Sequence, residues 1–313
     1  MNILVTGGAG FIGSHLTESL VKDGHSVTVL DNFDPFYDPE IKHRNISSIF
    51  EKITLLEMDI CDRELILSLA ETHDFDVIVH LAAKAGVRPS IENPTDYIQT
   101  NVQGTLNLLD LAIKMNVNQF VLASSSSVYG KNKKVPFSEE DPLHNVISPY
   151  AASKVAAENL AHTYSSVHKL PVVALRFFTV YGPRQRPDLA IHKFCRKILH
   201  NEPIQKYGKG NTSRDYTYID DIVHGIRQAL NYDEQLFSIF NLGEHKTIRL
   251  SELIAAIENA LDKKATIEQL PEQPGDVPHT FAEINKAKTF LGYTPETDIH
   301  TGLKAFVKWL KEE

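Results

Sequence analysis

A glycine-rich turn near the N-terminus places the strongest constraint on what this chain can fold into. An apolar run over residues 2–6 leads into the turn, and an amphipathic segment follows it. Glycine is needed where a turn is tight, where the backbone must approach a pyrophosphate, and where a helix packs closely on its strand. The pattern therefore predicts a dinucleotide site, and an ordinary tight turn is the alternative. The predicted contacts are Gly7, Gly10, Phe11, Ile12 and Gly13.

Short β-branched runs alternate with amphipathic segments through the first half of the chain. The predicted strands are 2–6, 26–31, 52–58, 75–80, 119–123 and 172–177. The predicted helices between them are 11–22, 63–72, 94–115 and 149–168. Strands of near-continuous apolarity are typical of parallel sheets that are covered on both faces. The alternation predicts an α/β fold with a Rossmann-type, doubly wound parallel sheet.

The length of 313 residues is about twice that of a typical domain. The strand and helix pattern changes after Tyr181-Gly182-Pro183, where prolines and mixed short elements begin. We therefore expect a cofactor-binding domain over 1–180 and a smaller, mixed α/β substrate domain over 181–313. The segment 218–243 reads as a helix and a strand, and it is expected to rejoin the sheet.

Charge and composition exclude several classes of partner. Forty acidic and 32 basic side chains give a formal net charge of −8, without a lysine- or arginine-rich run. No nucleic acid or anionic membrane is expected as a partner. The apolar stretches 77–83 and 170–178 are too short to span a membrane. The N-terminus does not resemble a signal peptide, and Cys61 and Cys195 are too few for a disulfide framework, so we expect a cytoplasmic protein.

The end of the second predicted strand carries a carboxylate that suits a ribose. Asp31 and the adjacent Asn32 can bind the adenosine ribose hydroxyls, and a negative charge there disfavours a 2′-phosphate, so NAD is expected rather than NADP. A turn-forming aspartate is the alternative. Further cofactor contacts are expected after the third and fourth strands, at Asp59, Ile60, Ala82 and Ala83. The 14 histidines show no metal-ligand spacing, so no metal is expected.

A tyrosine and a lysine share one face of the helix predicted over 149–168. Ser148 and Pro149 form its start, and Tyr150 and Lys154 follow at i and i+4. A nearby ammonium favours the phenolate, so Tyr150 is expected to be a stronger base than free tyrosine, with Lys154 also reaching the nicotinamide ribose. A surface pair without a function is the alternative. The fifth strand ends in serines 124–127, whose hydroxyls suit a reacting sugar hydroxyl or a simple turn.

Ordered motifs along the whole chain resemble the extended short-chain dehydrogenases/reductases, and within them the NAD-dependent nucleotide-sugar epimerases. The motifs are TGGAGFIG at 6–13, DN at 31–32, HLAA at 80–83, NVQGT at 101–105, SSSSVYG at 124–130, YAASK at 150–154, RDYTYIDD at 214–221 and QPGD at 273–276. AGVRPSIENP at 85–94 and RFFTVYGPRQRPD at 176–188 most resemble the UDP-glucuronate 4-epimerases.

The resemblance implies a catalytic triad of Ser125, Tyr150 and Lys154, with Asn101 nearby as a structural or cofactor-side residue. It implies NAD-dependent oxidation of a UDP-sugar at carbon 4, rotation of the keto sugar and return of the hydride. Ser126 and Ser127 are implied to line the sugar site. The family's dehydratases carry an Asp-Glu pair there and its decarboxylases a glutamate at the second position, so epimerisation is the activity expected here.

One arginine near the end of the RFFTVYGPRQRPD motif is the candidate for holding the substrate carboxylate. Arg186 can grip a carboxylate through two hydrogen bonds, assisted by Thr179. The alternative is that Arg184 and Arg186 are solvated loop charges. The other implied UDP-sugar contacts are Arg88, Arg214, Gln273 and Asp276. Arg176 lies in an apolar strand and could equally belong to a buried ion pair.

Two rival functions stay open from the sequence. One is a 4-epimerase for a neutral UDP-hexose or UDP-N-acetylhexosamine, and the other is a catalytically silent NAD-binding sensor. The family also implies a homodimer that is formed by the helices predicted over 94–115 and 149–168. Apolar stripes on these helices are needed to cover the sheet in any case.

Overall fold

A computed structural model describes residues 1–208, 210–271 and 279–312. The strands are β1 (Asn2–Thr6), β2 (Ser26–Asp31), β3 (Thr54–Glu57), β4 (Val77–His80), β5 (Gln119–Ser125), β6 (Val172–Phe177), β7 (Thr179–Tyr181), β8 (Ile204–Tyr207), β9 (Ser213–Arg214), β10 (Tyr216–Tyr218), β11 (Phe237–Leu242), β12 (Ile248–Arg249) and β13 (Ile267–Leu270). The α-helices are α1 (Phe11–Lys22), α2 (Pro39–Ser47), α3 (Arg63–Ser68), α4 (Val87–Glu92), α5 (Pro94–Ile98), α6 (Thr105–Met115), α7 (Pro149–His168), α8 (Ala190–Leu199), α9 (Ile219–Ala229), α10 (Leu250–Leu261), α11 (Asn285–Leu291) and α12 (Ile299–Glu312).

Seven parallel strands form the central sheet, in the order β11-β6-β5-β4-β1-β2-β3. The first strand lies inside the sheet, between β2 and β4, so that connections leave it toward both edges. The predicted doubly wound parallel sheet is confirmed. In such sheets ligands bind beyond the carboxyl ends of the strands, where the winding reverses. This edge follows Thr6 in β1 and carries the glycine-rich turn.

Both faces of the sheet are buried. Ile3 and Val5 belong to the hydrophobic cluster on one face, whereas Leu4, between them, belongs to the cluster on the other. All three side chains have no exposed area. Because successive side chains of a strand point to opposite faces, a strand covered on both sides must be apolar at every position. This explains why β1 shows no alternation of polar and apolar residues.

The segment after β6 contributes to two parts of the molecule. Helix α9 packs against α1, and β11 pairs in parallel with β6 at the end of the central sheet. The segment 218–243 thus contributes a helix and a strand to the part of the molecule that holds the central sheet. Within the described residues, three two-stranded sheets lie outside it, formed by β10 with β7, β12 with β9 and β13 with β8. The domain boundary near residue 180 stays a prediction.

The helix predicted over 94–115 is interrupted. Helices α5 and α6 are joined by a π-helical turn, Gln99–Gly104, so the chain stays helical but is locally wider. The predicted helix 63–72 is α3 followed by a tighter turn at Leu69–Glu71. Among the described residues, no helix is both long enough and apolar enough to cross a membrane.

Candidate active site

A cavity of about 540 Å³ lies at the carboxyl edge of the sheet. Its walls come from the glycine-rich turn and from the segments that follow β2, β3, β4, β5 and β6. The predicted cofactor contacts on its walls are Gly7, Gly10, Phe11, Ile12, Gly13, Asp31, Asn32, Asp59, Ile60, Ala82, Ala83, Tyr150 and Lys154. The predicted catalytic Ser125 and the predicted substrate contacts Thr179 and Arg186 also line it. One cavity therefore contains both the predicted cofactor contacts and predicted catalytic and substrate contacts.

The glycine turn leaves no room for side chains. A Cβ on Gly13 would lie 2.1 Å from the carbonyl oxygen of Gly7. Gly7 itself has a φ of +68°, and its Cβ would lie 2.7 Å from the amide nitrogen of Ala82. Helix α1 begins after Gly10 without a side-chain cap. Its first amides are thus available to an anion, as a bound pyrophosphate requires.

Asp31 is buried at the end of β2. Its carboxylate accepts hydrogen bonds from the backbone amides of Ala9 at 3.2 Å and Phe33 at 2.9 Å. Lys42 of α2, buried as well, places its Nζ 3.3 Å from the same carboxylate. Lys42 also lines the cavity and was not predicted from the sequence, because α2 carries no motif that points to a ligand.

A second carboxylate, that of Asp59, connects the segment that follows β3 with the segment that follows β2. It accepts hydrogen bonds from the backbone amide of Cys61 at 2.8 Å and from the side-chain amide of Asn32 at 3.0 Å. Burial alone would raise the pKa of Asp59, but these hydrogen bonds outweigh it and leave the pKa below its ordinary value. Asp59 is therefore ionised and fixed beside the cavity at neutral pH.

An ion pair joins the segments on the two sides of β1. The Nζ of Lys84 lies 2.7 Å from Oδ2 of Asp34, and both residues line the cavity. Because β2 and β4 flank β1, this pair spans the edge of the sheet near the glycine turn. Neither residue was predicted, although Lys84 directly follows Ala82 and Ala83 in the sequence.

Helix α7 presents the Tyr150 and Lys154 side chains to the cavity. Its start is fixed by Ser148, whose Oγ accepts a hydrogen bond from the amide of Ala151 at 3.1 Å, and by Pro149 in the first turn. The Nζ of Lys154 donates to the carbonyl oxygen of Ala123 at 2.8 Å. Burial lowers the pKa of Lys154 to about 8, against the opposing charge of Glu158.

The chain's own groups keep the Tyr150 phenol protonated to a higher pH than expected. Burial raises the pKa of the phenol above its ordinary value. A hydrogen bond with Ser125 and the positive charge of Arg186 oppose that rise without cancelling it. The expectation that Lys154 favours the phenolate of Tyr150 is therefore wrong in the absence of bound ligands, because the pKa of the phenol lies above that of free tyrosine. The charge that acts on the phenol belongs to Arg186.

The serines at the end of β5 differ in position, since Ser124 and Ser125 line the cavity whereas Ser126 and Ser127 do not. The Oγ of Ser125 accepts a hydrogen bond from the amide of Ser127 at 3.2 Å and donates to the Oγ of Ser127 at 3.1 Å, which caps the short turn Ser126–Tyr129. Ser126 and Ser127 were predicted to line the sugar site, but they are not on the wall of the cavity. Turn chemistry explains their placement, because the chain curls away from the edge directly after Ser125.

Arg184 and Arg186 are both paired, so the alternative of two solvated charges does not hold. Arg186 donates from Nε and Nη2 to the two carboxylate oxygens of Asp188, at 2.9 and 2.7 Å. Arg184 donates to Glu18 of α1 at 2.8 Å. Only Arg186 lines the cavity. The two arginines are close in sequence, but Arg184 contacts helix α1 whereas Arg186 faces the cavity.

The remaining predicted substrate contacts lie away from the cavity wall or outside the described residues. The guanidinium of Arg88 lies over the ring of Tyr207, 5.3 Å from its centre. Arg214 donates from Nη1 to the carbonyl oxygen of Ser213 at 3.0 Å. Neither arginine lines the cavity. Gln273 and Asp276 fall outside the residues that the structure describes.

Asn101 acts on the backbone beside the cavity. Its side chain accepts from the amide of Lys84 at 2.8 Å and donates to the carbonyl oxygen of Lys84 at 2.9 Å. It also donates to the Oγ of Ser153 in α7 at 2.9 Å. Asn101 is not on the cavity wall, so of its two predicted roles the geometry favours the structural one.

Arg176 belongs to a buried ion pair, which was the alternative for this residue. It donates from Nε and Nη2 to the Glu158 carboxylate at 3.0 and 2.8 Å. Its Nη1 donates to the hydroxyl of Tyr129 at 3.0 Å, and Ser124 donates to Glu158 at 2.5 Å. These contacts tie α7 to the strands β5 and β6 beneath it.

His80 is a packed core residue. Its Nδ1 lies 2.8 Å from the hydroxyl of Thr6 and its Nε2 2.9 Å from that of Thr105. Burial, with the charge of Lys154, lowers its pKa to about 3. Within the part of the chain that the structure describes, no cluster of three or more histidine, cysteine or acidic side chains could hold a metal ion.

The fold and the cavity define a dinucleotide-dependent enzyme of the extended short-chain dehydrogenase/reductase class. Residues 4–306 match the GDP-mannose 4,6-dehydratase family, and the chain belongs to this family. The resemblance stated from the sequence motifs is confirmed.

Three sugar-nucleotide epimerases are among the proteins that this chain resembles over nearly its whole length. UDP-glucuronate 4-epimerase 4 of Arabidopsis thaliana is 43% identical over 99% of this chain and 75% of its own length. The crystal structure of Bacillus cereus UDP-glucuronic acid 4-epimerase with UDP-glucuronic acid and NAD is 36% identical, with a TM-score of 0.93 over 100% of this chain and 99% of that one. The UDP-glucose 4-epimerase of Thermotoga maritima with UDP-glucose is 32% identical, with a TM-score of 0.92 over 100% and 99% of the two chains.

Proposed function

We propose that this protein is an NAD-dependent 4-epimerase that interconverts UDP-glucuronate and UDP-galacturonate. The observation that carries the proposal is that Ser125, Tyr150, Lys154 and Arg186 line the same cavity as the glycine turn. A base, a carboxylate-binding cation and a dinucleotide cradle are thereby brought to one place. The relatives from Arabidopsis thaliana and Bacillus cereus support the assignment.

The chain's residues suit NAD. The glycine turn and the uncapped start of α1 would hold the pyrophosphate, and Asp31 would hold the adenosine ribose hydroxyls. Lys154, which uses one of its three N–H groups on the carbonyl oxygen of Ala123, would hold the nicotinamide ribose with another. When bound, NAD accepts the hydride from carbon 4 of the sugar and gives it back, so that none is consumed.

Tyr150 moves the proton of the reaction. Its phenolate takes the proton of the sugar 4-hydroxyl as the keto sugar forms, and the phenol returns it after the sugar has turned over. Ser125 lines the same cavity and holds the same hydroxyl in line. Since burial raises the pKa of the phenol, positive charge near it is needed at neutral pH, and Arg186 supplies part of that charge.

Arg186 is the proposed holder of the sugar carboxylate. A 4-keto glucuronate is a β-keto acid that tends to lose carbon dioxide, so the carboxylate must be held in an orientation that disfavours this loss. The guanidinium can do this through hydrogen bonds, with Thr179 beside it in the cavity. Ser126 and Ser127 offer no acid and base for dehydration or decarboxylation, which leaves epimerisation.

Conversion of UDP-glucuronate tests the proposal directly. The purified protein should convert it to UDP-galacturonate, observed as a new anomeric signal by NMR, without net consumption of added NAD. Formation of a UDP-pentose would show decarboxylation instead. No change in the spectrum, with NAD shown to be bound, would contradict the assignment.

A neutral UDP-hexose or UDP-N-acetylhexosamine is the second candidate substrate. The ion pair with Asp188 is compatible with such a substrate, because Arg186 then keeps a charged partner when the bound sugar has no carboxylate. The relative from Thermotoga maritima is a UDP-glucose 4-epimerase. An Arg186→Ala variant separates the two candidates, since only turnover of an acidic sugar should fall strongly.

The assembly and the location belong to the same proposal. The helices α5, α6 and α7 are proposed to form the interface of a homodimer. The uridine diphosphate is proposed to reach Arg88 and Arg214, together with Gln273 and Asp276. We propose a cytoplasmic location, which fits two free cysteines.

A further inference from the structure

We propose that Asp188 is a positioning residue that fixes Arg186 for recognition of a sugar carboxylate. The inference rests on the proposed function. The Asp188 carboxylate receives two hydrogen bonds from one edge of the guanidinium, from Nε at 2.9 Å and from Nη2 at 2.7 Å. A two-bond contact of this kind sets both the position and the plane of the arginine.

The contacts around Arg186 leave one of its nitrogens for a ligand. Nη2 also approaches the carbonyl oxygen of Ala85, at 3.5 Å. One face of the guanidinium lies over the ring of Phe36, 5.1 Å from its centre. Nη1 has no hydrogen-bond partner among the residues that the structure describes. Because Arg186 lines the cavity, Nη1 is the donor that remains for a bound carboxylate.

Asp188 also keeps a largely buried charge paired. The Arg186 side chain is 17% exposed, and that of Asp188 is 31% exposed. A buried guanidinium without a partner is unfavourable, and a mobile one must be ordered when the ligand binds. Asp188 removes both costs before the substrate arrives. Its effect should therefore fall on the affinity for an acidic sugar rather than on the chemical step.

The same loop offers a matched control. Arg184 is also held by a carboxylate, that of Glu18 in α1, at 2.8 Å. Neither Arg184 nor Glu18 lines the cavity. Removing the charge of Glu18 therefore tests the general effect of losing an ion pair in this loop.

The experiment compares wild type, Asp188→Asn, Asp188→Glu and Glu18→Gln as NAD-loaded proteins. Calorimetry gives the dissociation constants of UDP-glucuronate and UDP-glucose, and turnover of UDP-glucuronate gives KM and kcat separately. Asp188→Asn should weaken UDP-glucuronate binding about tenfold, the loss expected for one charge-assisted hydrogen bond. Its affinity for UDP-glucose should not change, and its KM should change more than its kcat.

The two remaining variants complete the test. Asp188→Glu keeps the ion pair and should recover most of the lost affinity, whereas Glu18→Gln should bind both nucleotides as wild type does. Equal weakening for both sugars, or unchanged binding of UDP-glucuronate, would overturn the role of Asp188. If wild type binds UDP-glucuronate but forms no UDP-galacturonate, the proposed function fails while the comparison of affinities still stands.

Discussion

Tyr150 shows how a single residue depends on its surroundings. Burial raises the pKa of the phenol, and a hydrogen bond and one positive charge oppose the rise. The phenol is therefore placed by α7 but not activated by it. Residue identity gives the chemistry that is available, and the environment decides how much of it is used at a given pH.

Replacing Tyr150 with phenylalanine should remove the base and keep the shape of the site. We expect kcat to fall by about 10² to 10⁴ while NAD binding persists, because proton transfer contributes an effect of that size. Turnover and cofactor content measure the two outcomes. Tyr164→Phe is the control, since Tyr164 lies on the same helix with its hydroxyl on Asp110. An active Tyr150→Phe variant would contradict the mechanism and favour a silent cofactor sensor.

His80 should make stability depend on pH. Its pKa is about 3 in the folded protein, whereas an unfolded histidine titrates near 6.5. Between these values the unfolded chain binds a proton that the folded protein does not, so acidification favours unfolding. The free energy of unfolding should fall by about 1.4 kcal/mol per pH unit below 6.5 on account of this residue.

Urea unfolding of wild type and His80→Gln at several pH values measures this contribution of His80. The variant should be less stable at neutral pH, because the hydrogen bonds to Thr6 and Thr105 are altered, but its stability should fall less steeply on acidification. Parallel pH dependences of the two proteins would show that His80 is not the group that titrates.

At the scale of elements, the site depends on how α7 sits on the sheet. Tyr150 and Lys154 project from its first turns, and Glu158 from the next turn is bound to Arg176 of β6. The ion pair fixes both the rotation and the height of the helix over the strands. It does so inside the core, where a side chain without a partner is costly.

Loss of one member of this ion pair should destabilise the protein strongly. Glu158→Gln leaves Arg176 as a buried charge without a full partner, and we expect a loss of about 3–5 kcal/mol in the free energy of unfolding. Chemical denaturation measures it. Lys264→Ala removes the pair that Glu258 makes with a lysine 84% exposed, and it should cost at most about 1 kcal/mol. Similar losses for the two variants would refute a core role for the Arg176 pair.

The pair between Asp34 and Lys84 should help to retain the cofactor. It connects the segments after β2 and β4 at the cavity. We expect Asp34→Asn to release NAD about two- to fivefold faster, since a partly exposed pair contributes up to about 1 kcal/mol. Rapid-mixing displacement by NADH measures the rate. Asp23→Asn breaks the pair with Arg227, away from the cavity, and should release NAD as wild type does.

At the scale of the whole molecule, the central sheet could be predicted because each buried strand must be apolar along its length. The glycine turn and the start of α7 were also predictable, because each depends on a few neighbouring residues whose types suit the local backbone. Ion pairs between loops were not, since Asp34 with Lys84 or Asp31 with Lys42 depends on how distant segments meet. The strands β7 and β10 contain three residues each, too few to show a period.

The direction in which a side chain points could not be predicted from the sequence either. Ser125 and Ser126 are neighbours of the same type, yet only Ser125 lines the cavity, because the chain turns between them. The ion pair between Arg186 and Asp188 was likewise not predicted from the sequence, although both residues belong to one motif. Sequence indicates which groups reach the edge of the sheet, and the fold decides where each one points.

The proposed homodimer makes an apolar residue on α5 important for assembly. Ile98 is 48% exposed, and it lies on one of the helices proposed to form the interface. Ile98→Glu should shift the protein from dimer to monomer, because burying a carboxylate without a partner is unfavourable. Light scattering after gel filtration measures the mass. Val135→Glu, equally exposed but outside the helices, should remain dimeric. A monomeric wild type would contradict the interface.

The π-helical turn at Gln99–Gly104 has a consequence for how this chain can change over evolution. The turn accommodates an extra residue between α5 and α6, and Asn101 within it holds the Lys84 backbone. Deleting one residue there would restore regular α-helical winding and displace Asn101 from the Lys84 backbone that it holds. Lineages of this enzyme should therefore conserve the spacing of the segment more strictly than the identity of its outward-facing residues.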